Sequence, residues 1–227
     1  MSVKENYQLI RSNIERACRR VKRSPDQVQV LAVCKDQPPE KIIEAYGCGI
    51  RLLGENRVQE AESHMRLLSG CPVRWHFIGR LQKNKLNKVI TAFDLVQSVD
   101  GVKTLEHIHK RIERELEVFL EINIGEEASK SGFTVDGLKK AMNYVANLNR
   151  VRVTGLMIIP PPADDLDKMR PYFSRLRRLQ DEINAWGIAN LRIVHLSMGM
   201  SHDYEVAVEE GATMVRIGSA LFGRSAS

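Results

Sequence analysis

The chain has 227 residues, of which 43% are hydrophobic and 27% are charged, a composition typical of a soluble globular protein. Its formal net charge is +6, but the basic residues are spread along predicted helices without a zinc-finger, RRM or homeodomain pattern. This argues against nucleic-acid binding and suits an anionic small ligand. No apolar stretch nears the roughly 18 residues of a membrane span. The four cysteines form no CxxC pair, which predicts free thiols and a cytoplasmic protein.

An amphipathic helix over residues 1–23 is predicted before any strand, because Ile10, Ile14, Ala17 and Val21 recur at spacings of three and four. Eight short apolar strands then alternate with helices. The predicted strands are Val28–Cys34, Ile50–Leu53, Arg74–Ile78, Leu95–Val99, Val118–Ile124, Val151–Ile159, Leu191–Leu196 and Thr213–Ile217. The predicted helices between them cover 40–46, 58–68, 83–90, 102–114, 135–148, 164–186 and 203–210.

Strands that alternate with helices imply a parallel sheet, and eight such units in about 200 residues imply a closed (β/α)8 barrel of the TIM type. We therefore predict an α/β protein with a single domain over 1–227. An open doubly wound sheet is the alternative, but no GxGxxG motif follows the first strand. The eighth strand leaves no room for a full final helix, and the helix over 1–23 could cover that place. Pro171 either interrupts the helix over 164–186 or marks its true start.

Lys35 is the first charged residue after the first strand. In barrels of this type the C-terminal ends of the strands carry the chemistry. A lysine there can form a Schiff base with a carbonyl, or attract an anion as a point charge. It can also be a solvated side chain at a strand end.

Two glycine- and serine-containing turns follow the last two strands, SMGMS at 197–201 and RIGS at 216–219. Phosphate sites in such barrels are often built from these loops, because glycine allows backbone N–H groups close approach and a helix N-terminus attracts an anion. Simple turns and helix caps are the alternative. Together with Lys35 on the same rim, the turns favour a phosphate site. A lysine and a phosphate site together suit pyridoxal 5′-phosphate (PLP) or a sugar-phosphate aldolase.

Six segments in the right order closely resemble the pyridoxal phosphate homeostasis proteins, which are single-barrel relatives of the alanine racemase N-terminal domain. The resemblance covers nearly the whole chain, and its last segment is highly specific. The segments are LAVCK (31–35), LLGENRVQE (52–60), RWHFIGRLQKNK (74–85), GEEASKSGF (125–133), GLMIIPP (155–161) and LSMGMSHDYEVAVEEGATMVRIGSALFG (196–223).

The resemblance implies that the cofactor is PLP and that Lys35 holds it as an internal aldimine. It assigns the other residues of the pocket to the phosphate, the ring nitrogen or the wall. These residues are Ser201, Gly218 and Ser219 at the phosphate, Arg216 at the pyridine nitrogen, and, along the wall, Asn56 and the turn Ser197–Met200 with Ser197 and Met198. No metal site is predicted, since no HExxH motif is present.

Two positions depart from the pattern of the resembled family. Asp36 stands where many members have threonine, and Arg57 stands where an aromatic residue is common. The Asp36 carboxylate could hold the neighbouring lysine protonated and slow its reaction. However, neighbouring residues of a strand point to opposite faces, which would keep the two apart. No consequence of Arg57 follows from the sequence.

A cofactor carrier is favoured over a catalyst. Arginine cannot give up a proton, so Arg216 would leave the pyridine unprotonated and a weaker electron sink. Alanine racemases also use a second, β-rich domain and a tyrosine base from a partner subunit, for which this chain has no room. We therefore predict a PLP-binding protein of intracellular PLP homeostasis without efficient catalysis. A weak PLP-dependent amino-acid racemase is the alternative.

The remaining expectations concern partners and isolated side chains. Apo-forms of PLP enzymes could receive the cofactor, and Lys130 could serve as a secondary amine during that transfer. We expect a monomer without a nucleic-acid or membrane partner. His107 and His109 lie two residues apart on a helix and should not chelate a metal. His76 either faces the rim or packs in the core.

Overall fold

The computed structural model describes residues 1–127, 130–161, 165–188 and 191–223. Their eight strands form one closed barrel in which every strand pairs in parallel with its neighbours and the last strand pairs with the first. The strands are β1 (Gln29–Val33), β2 (Leu52–Glu55), β3 (Arg74–Phe77), β4 (Leu95–Val99), β5 (Leu116–Glu121), β6 (Val151–Met157), β7 (His195–Ser197) and β8 (Met214–Ile217). The predicted (β/α)8 architecture is confirmed.

Helices surround the barrel and alternate with the strands, as the spacing of apolar residues predicts. The described helices are α1 (Val3–Arg20), α2 (Pro39–Gly47), α3 (Val58–Leu67), α4 (Leu86–Ala92), α5 (Val102–His109), α6 (Val135–Val145), α7 (Arg170–Ala185), α8 (Tyr204–Glu209) and α9 (Ser219–Phe222). None of them has the length and the apolar character needed to cross a membrane. The single domain over 1–227 stays a prediction, since that range includes residues outside the described ones.

Several predicted boundaries are wrong by two or more residues. The second strand was expected to end at Leu53 but runs to Glu55, because Glu55 is fully buried against the following helix rather than exposed in a turn. The seventh strand is confined to His195–Ser197 and so includes Ser197. The helix predicted over 164–186 begins at Arg170, with Pro171 in its first turn, where a proline costs no hydrogen bond. Pro162 and Asp164 lie outside the described residues.

The barrel encloses a small apolar cluster, and a larger core fills the space between strands and helices. Inside the barrel, Leu31, Leu95, Phe119, Met157 and Met214 are at most 2% exposed. Burial of these side chains removes apolar surface from water, which is the main term that stabilises such a fold. Because the interior is filled, a ligand can enter only at the ends of the barrel.

Helix α1 covers the place left open after β8, as the sequence predicts. It packs against α8, α9 and α2, and its buried stripe includes Ile10 and Ile14. The helix begins with a capping box between Ser2 and Glu5, which satisfies two backbone N–H groups that the helix itself cannot. Asn6 donates from Nδ2 to the carbonyl oxygen of Leu221 in α9 at 2.8 Å. This bond ties the start of the chain to its last helix.

Replacing Ile14 by alanine tests the contribution of α1. Ile14 is fully buried, so Ile14→Ala should lower the free energy of unfolding by about 2–5 kcal/mol through lost apolar contact and a residual cavity. Urea denaturation measures this loss. The exposed Glu15 on the same helix provides the control, since Glu15→Ala should change the stability by less than about 0.5 kcal/mol. Equal stability of the two variants would show that α1 contributes little to the fold.

Candidate functional site

A cavity of about 500 Å³ opens at the C-terminal end of the barrel, within the size range of small-ligand sites. Six of the eight residues predicted for the site line it: Lys35, Asn56, Ser201, Arg216, Gly218 and Ser219. The structure therefore brings together residues from the exits of β1, β2, β7 and β8. Met200, the end of the predicted Ser197–Met200 turn, lines the cavity as well. The other lining residues are not predicted: Val33, Asp36, Gln37, Ile78, Gly79, Met157, Ile159, His202 and Gly223.

Lys35 reaches the cavity from the turn that follows β1. Its side chain is exposed, and among the described residues no carboxylate forms an ion pair with its amine. Asp36 turns the backbone with a φ of 56°, a left-handed conformation that aspartate tolerates better than most residues. The Asp36 N–H donates to Oε2 of Glu60 at 3.3 Å. This bond anchors the turn that carries Lys35 to helix α3.

The two departures from the family pattern contact each other. Arg57 places Nη1 3.6 Å from Oδ1 of Asp36 and 2.8 Å from Oε1 of Glu60. Strand alternation does not separate Asp36 from the cavity, because β1 has already ended at Val33. The carboxylate of Asp36 is instead partnered by Arg57. Since Arg57 and Asp36 are more than half exposed, their ion pair adds little to stability.

The turn after β7 meets the start of α9. The hydroxyl oxygen of Ser201 accepts hydrogen bonds from the backbone N–H groups of Gly218 at 3.3 Å and Ala220 at 3.1 Å. Gly218 and Ser219 line the cavity beside it. Because the Gly218 and Ala220 N–H groups are bonded to Ser201, the donors that converge on this part of the wall are the hydroxyls of Ser201 and Ser219, beside the first turn of a helix. Such a set of donors suits a phosphate group.

Arg216 forms the floor of the cavity and is 5% exposed. Burial lowers the pKa of its guanidinium to about 10, an effect that Asp203 and Glu121 oppose. The side chain therefore remains charged at neutral pH. It donates from Nη1 to the carbonyl and hydroxyl oxygens of Ser197, and from Nη2 to the carbonyl oxygen of Ile158. All of these acceptors are neutral, which leaves the positive charge free to attract an anionic ligand.

Asn56 and Gly79 also belong to the wall of the cavity. Oδ1 of Asn56 is shielded from solvent and finds no hydrogen-bond partner in the described part of the chain. It is therefore available to a donor on a ligand. Gly79 has no room for a side chain, because a Cβ would collide with the carbonyl of Asn56. The strand–glycine junction FIG at 77–79 is the sequence signal that could have indicated this position.

Two predicted wall residues do not line the cavity. Met198 is fully buried in the core between the strands and the helices and is not among the lining residues. Ser197 is also fully buried and lies behind Arg216, to which its oxygens are bonded. The physical reason is that β7 runs through Ser197, so the open turn begins later than expected. Met200, at the other end of the predicted turn, does line the cavity.

Of Lys130, His76 and His202, only His202 lines the cavity. Lys130 pairs with Glu127 at 2.7 Å and is not among the lining residues, and the neighbouring Ala128 and Ser129 lie outside the described residues. His76 is a core histidine, 1% exposed, and its Nδ1 lies 2.9 Å from Nε2 of Gln97. His202 lines the cavity, and its Nε2 lies 3.5 Å from Oδ2 of Asp203.

The lining residues fit the cofactor that the resemblance implies. PLP has an aldehyde, a phosphate ester and a ring with a nitrogen and a hydroxyl. The cavity offers an exposed amine at Lys35, O–H donors at Ser201 and Ser219, a buried cation at Arg216 and an unpartnered acceptor at Asn56. Each chemical group of PLP thus has a complementary group in the wall.

A buried acid lies directly behind Asn56. Glu55 is fully buried, and its Oε1 lies 2.6 Å from Nδ1 of His64 on α3. Burial raises the pKa of Glu55 to about 8, with Glu60 adding to the effect. Burial lowers the pKa of His64. Both groups are therefore neutral at pH 7, and a neutral hydrogen bond joins them. This bond fixes the end of β2 to α3.

Comparison with known proteins finds relatives over nearly the whole chain. Residues 6–226 match the family model described as alanine racemase, N-terminal domain. A pyridoxal phosphate homeostasis protein of Aquifex aeolicus is 42% identical over 226 residues, with 98% of each chain covered. The solved structure of PipY from Synechococcus elongatus, with PLP bound, superposes with a TM-score of 0.85 at 33% identity. That alignment covers 98% of this chain and 100% of PipY.

Alanine racemases share the fold only. The Clostridium difficile enzyme superposes with a TM-score of 0.74 at 15% identity. The alignment covers 98% of this chain but 58% of the racemase. The likeness therefore supports a common barrel.

The Glu55–His64 pair predicts a pH dependence of stability. Between about pH 5 and 6.5 the two shifts oppose each other, because an unfolded chain would ionise Glu55 and protonate His64. From pH 6.5 to about 8, Glu55 is the member of this pair whose protonation differs between the folded and the unfolded chain. There the folded chain keeps a proton that the unfolded chain has lost. The free energy of unfolding should then fall as pH rises, by up to about 1.4 kcal/mol per pH unit.

Urea denaturation at pH 6.5, 7.25 and 8 measures this slope. Glu55→Gln keeps a hydrogen-bond donor to His64 but cannot ionise, so it should remove the slope. A slope that is equal in wild type and variant would refute the assignment.

Proposed function

The chain belongs to the pyridoxal phosphate homeostasis proteins, a family built on the alanine racemase N-terminal domain, and on this premise we propose that it binds PLP in the cavity at the C-terminal end of its barrel. It would hold the cofactor through Lys35 and take part in PLP homeostasis without efficient catalysis of its own. The observation that carries the proposal is that Lys35, Ser201 and Arg216 line one cavity of about 500 Å³.

Each residue has a role that follows from its chemistry. PLP supplies an aldehyde that condenses with primary amines and a ring that withdraws electrons. The exposed amine of Lys35 is positioned to be its covalent partner. The hydroxyls of Ser201 and Ser219 would donate to the phosphate, and Gly218, whose N–H is bonded to Ser201, would let the backbone lie close to it. Arg216 would donate to the pyridine nitrogen, and Asn56 would accept from a donor on the ring. Loss of the phosphate donors would weaken binding without removing the amine.

The same geometry argues for a carrier. Arg216 stays charged and donates only, so it cannot protonate the ring and make it a strong electron sink. The turn with Lys35 is exposed, and a solvated site stabilises developing charge weakly. Both features disfavour rapid abstraction of a proton from an amino acid. They do not hinder the capture or release of an aldehyde.

We further propose that apo-forms of PLP enzymes receive the cofactor, that the protein is a cytoplasmic monomer, and that neither nucleic acid nor membrane is a partner. The four cysteines are free thiols, which suits a reducing compartment. Its exposed large apolar side chains occur at separate places along the chain, for example Leu9, Ile43 and Leu67. Scattered residues of this kind are ordinary on monomers. Sedimentation of the purified protein would test the oligomeric state.

The proposal predicts that wild type bound to PLP is yellow. Its visible band should disappear on reduction with borohydride, and mass spectrometry should place the reduced adduct on Lys35. Lys35→Ala should give no such adduct while retaining weaker, noncovalent binding, because the phosphate donors and Arg216 remain. Lys88→Ala is the control, since Lys88 is exposed on α4 and is not among the residues that line the cavity. A colourless wild type in excess PLP would refute the proposal.

Deuterium exchange separates the carrier from a racemase. With PLP bound and an amino acid added in heavy water, exchange at Cα should remain close to the rate given by free PLP. NMR follows the loss of the Cα proton. Robust exchange that depends on Lys35 would overturn the carrier and support a weak racemase instead.

A further inference from the structure

A layer of buried polar side chains crosses the barrel interior directly below the cavity. It consists of Arg216 from β8, Ser197 from β7, Gln97 from β4 and His76 from β3, each at most 5% exposed. The nearby interior residues Leu31, Leu95 and Phe119 are apolar. Polar groups in such surroundings are costly unless they are hydrogen-bonded. The layer is therefore a feature that needs a physical reason.

The hydrogen bonds of this polar layer run in one direction. Nη1 of Arg216 donates to the carbonyl oxygen of Ser197 at 2.7 Å and to its hydroxyl oxygen at 2.8 Å. A guanidinium can only donate, so the Ser197 hydroxyl must accept there. Its own proton turns to Oε1 of Gln97, 2.6 Å away. Nε2 of Gln97 then donates to Nδ1 of His76 at 2.9 Å.

The far end of the polar layer keeps this direction fixed. Burial lowers the pKa of His76 to about 3, with Arg74 and His195 adding to the effect. His76 therefore stays neutral at neutral pH, and its Nδ1 remains an acceptor. The amide of Gln97 does not ionise near neutral pH, so the polar layer is not suited to relay protons. What it can do is hold the Ser197 hydroxyl, and through it Arg216, in a single orientation.

The orientation leaves part of Arg216 available to a ligand. Of its five N–H groups, two on Nη1 and one on Nη2 are bonded to Ser197 and Ile158. The other two donate to no protein atom among the residues that the structure describes, and Arg216 lines the cavity. The floor of the cavity therefore presents donors without a competing acceptor from its own side chain.

We propose that Gln97 is a positioning residue which orients Arg216 through Ser197, so that the site selects a ligand whose ring presents a hydrogen-bond acceptor to the floor. This inference rests on the proposed function, because it concerns the ring of PLP. It adds that selectivity for the ring nitrogen is set from β4, across the barrel from Arg216 on β8. Gln97 itself touches no ligand and is not a lining residue.

The test compares PLP with an analogue in which CH replaces the ring nitrogen. The two have the same aldehyde, phosphate and shape, so the ratio of their dissociation constants isolates the acceptor. Wild type should bind PLP about tenfold more tightly than the analogue, the value of one well-placed buried hydrogen bond to a charged group. Gln97→Leu and Ser197→Ala should each reduce this ratio to about threefold or less. The double variant should show no further loss, because both act through one path.

Controls separate orientation from general damage. Gln59→Leu makes the same substitution at an exposed position of α3 and should keep the wild-type ratio. Thermal unfolding without ligand verifies that each variant is folded, and Ser197→Ala preserves the test if Gln97→Leu does not fold. An unchanged ratio in the folded variants would overturn the inference, as would losses that multiply in the double variant.

The outcome for wild type distinguishes the two proposals. A wild type that binds PLP and the analogue equally overturns this inference and the role of Arg216 at the ring nitrogen, but leaves PLP binding itself intact. A wild type that binds neither compound overturns the proposed function and the inference together.

Discussion

The pairing of β8 with β1 is the constraint on which the site depends. In this pair Leu31 lies opposite Arg216 and Ala32 lies opposite Ile217. Adjacent strands are only about 4.8 Å apart, so the residues that leave the two strands emerge side by side. Lys35 and the Gly218–Ser219 turn are far apart in sequence, yet closure of the barrel places them on one rim. An open sheet with the same strands would put β1 and β8 at different places, and the cavity would not form.

The sequence predicts the fold well because the fold is repetitive. Each apolar run is short, each is followed by an amphipathic helix, and eight repeats allow one compact closure. Boundaries are predicted less well where local and tertiary signals disagree. The charge of Glu55 predicts a turn residue, but Glu55 is the last residue of β2, where its buried carboxyl is bonded to His64. Local pattern contains no information about such a partner on a later helix.

The residues of the site are likewise predictable where local sequence determines them and unpredictable where tertiary contacts do. Glycine and serine after β7 and β8 predict the phosphate-type donors, and a lysine after β1 predicts the amine, because each depends on local chemistry. The role of Ser197 could not be predicted, since one residue of strand length decides whether it faces the cavity or lies behind Arg216. The contact between Asp36 and Arg57 could not be predicted either, because it joins two different turns. The polar layer is the least visible of all, with members on four strands that are separate in sequence.

The bond from Asn6 to the carbonyl of Leu221 affects where a fusion partner should be attached. Helix α9 begins at Ser219, and α1 holds the other end of this helix through the bond to Leu221. A change at the start of α1 that breaks this bond would remove a contact that holds α9, whose first residue, Ser219, lines the cavity. A bulky fusion partner is better joined to another part of the molecule than to residues preceding α1.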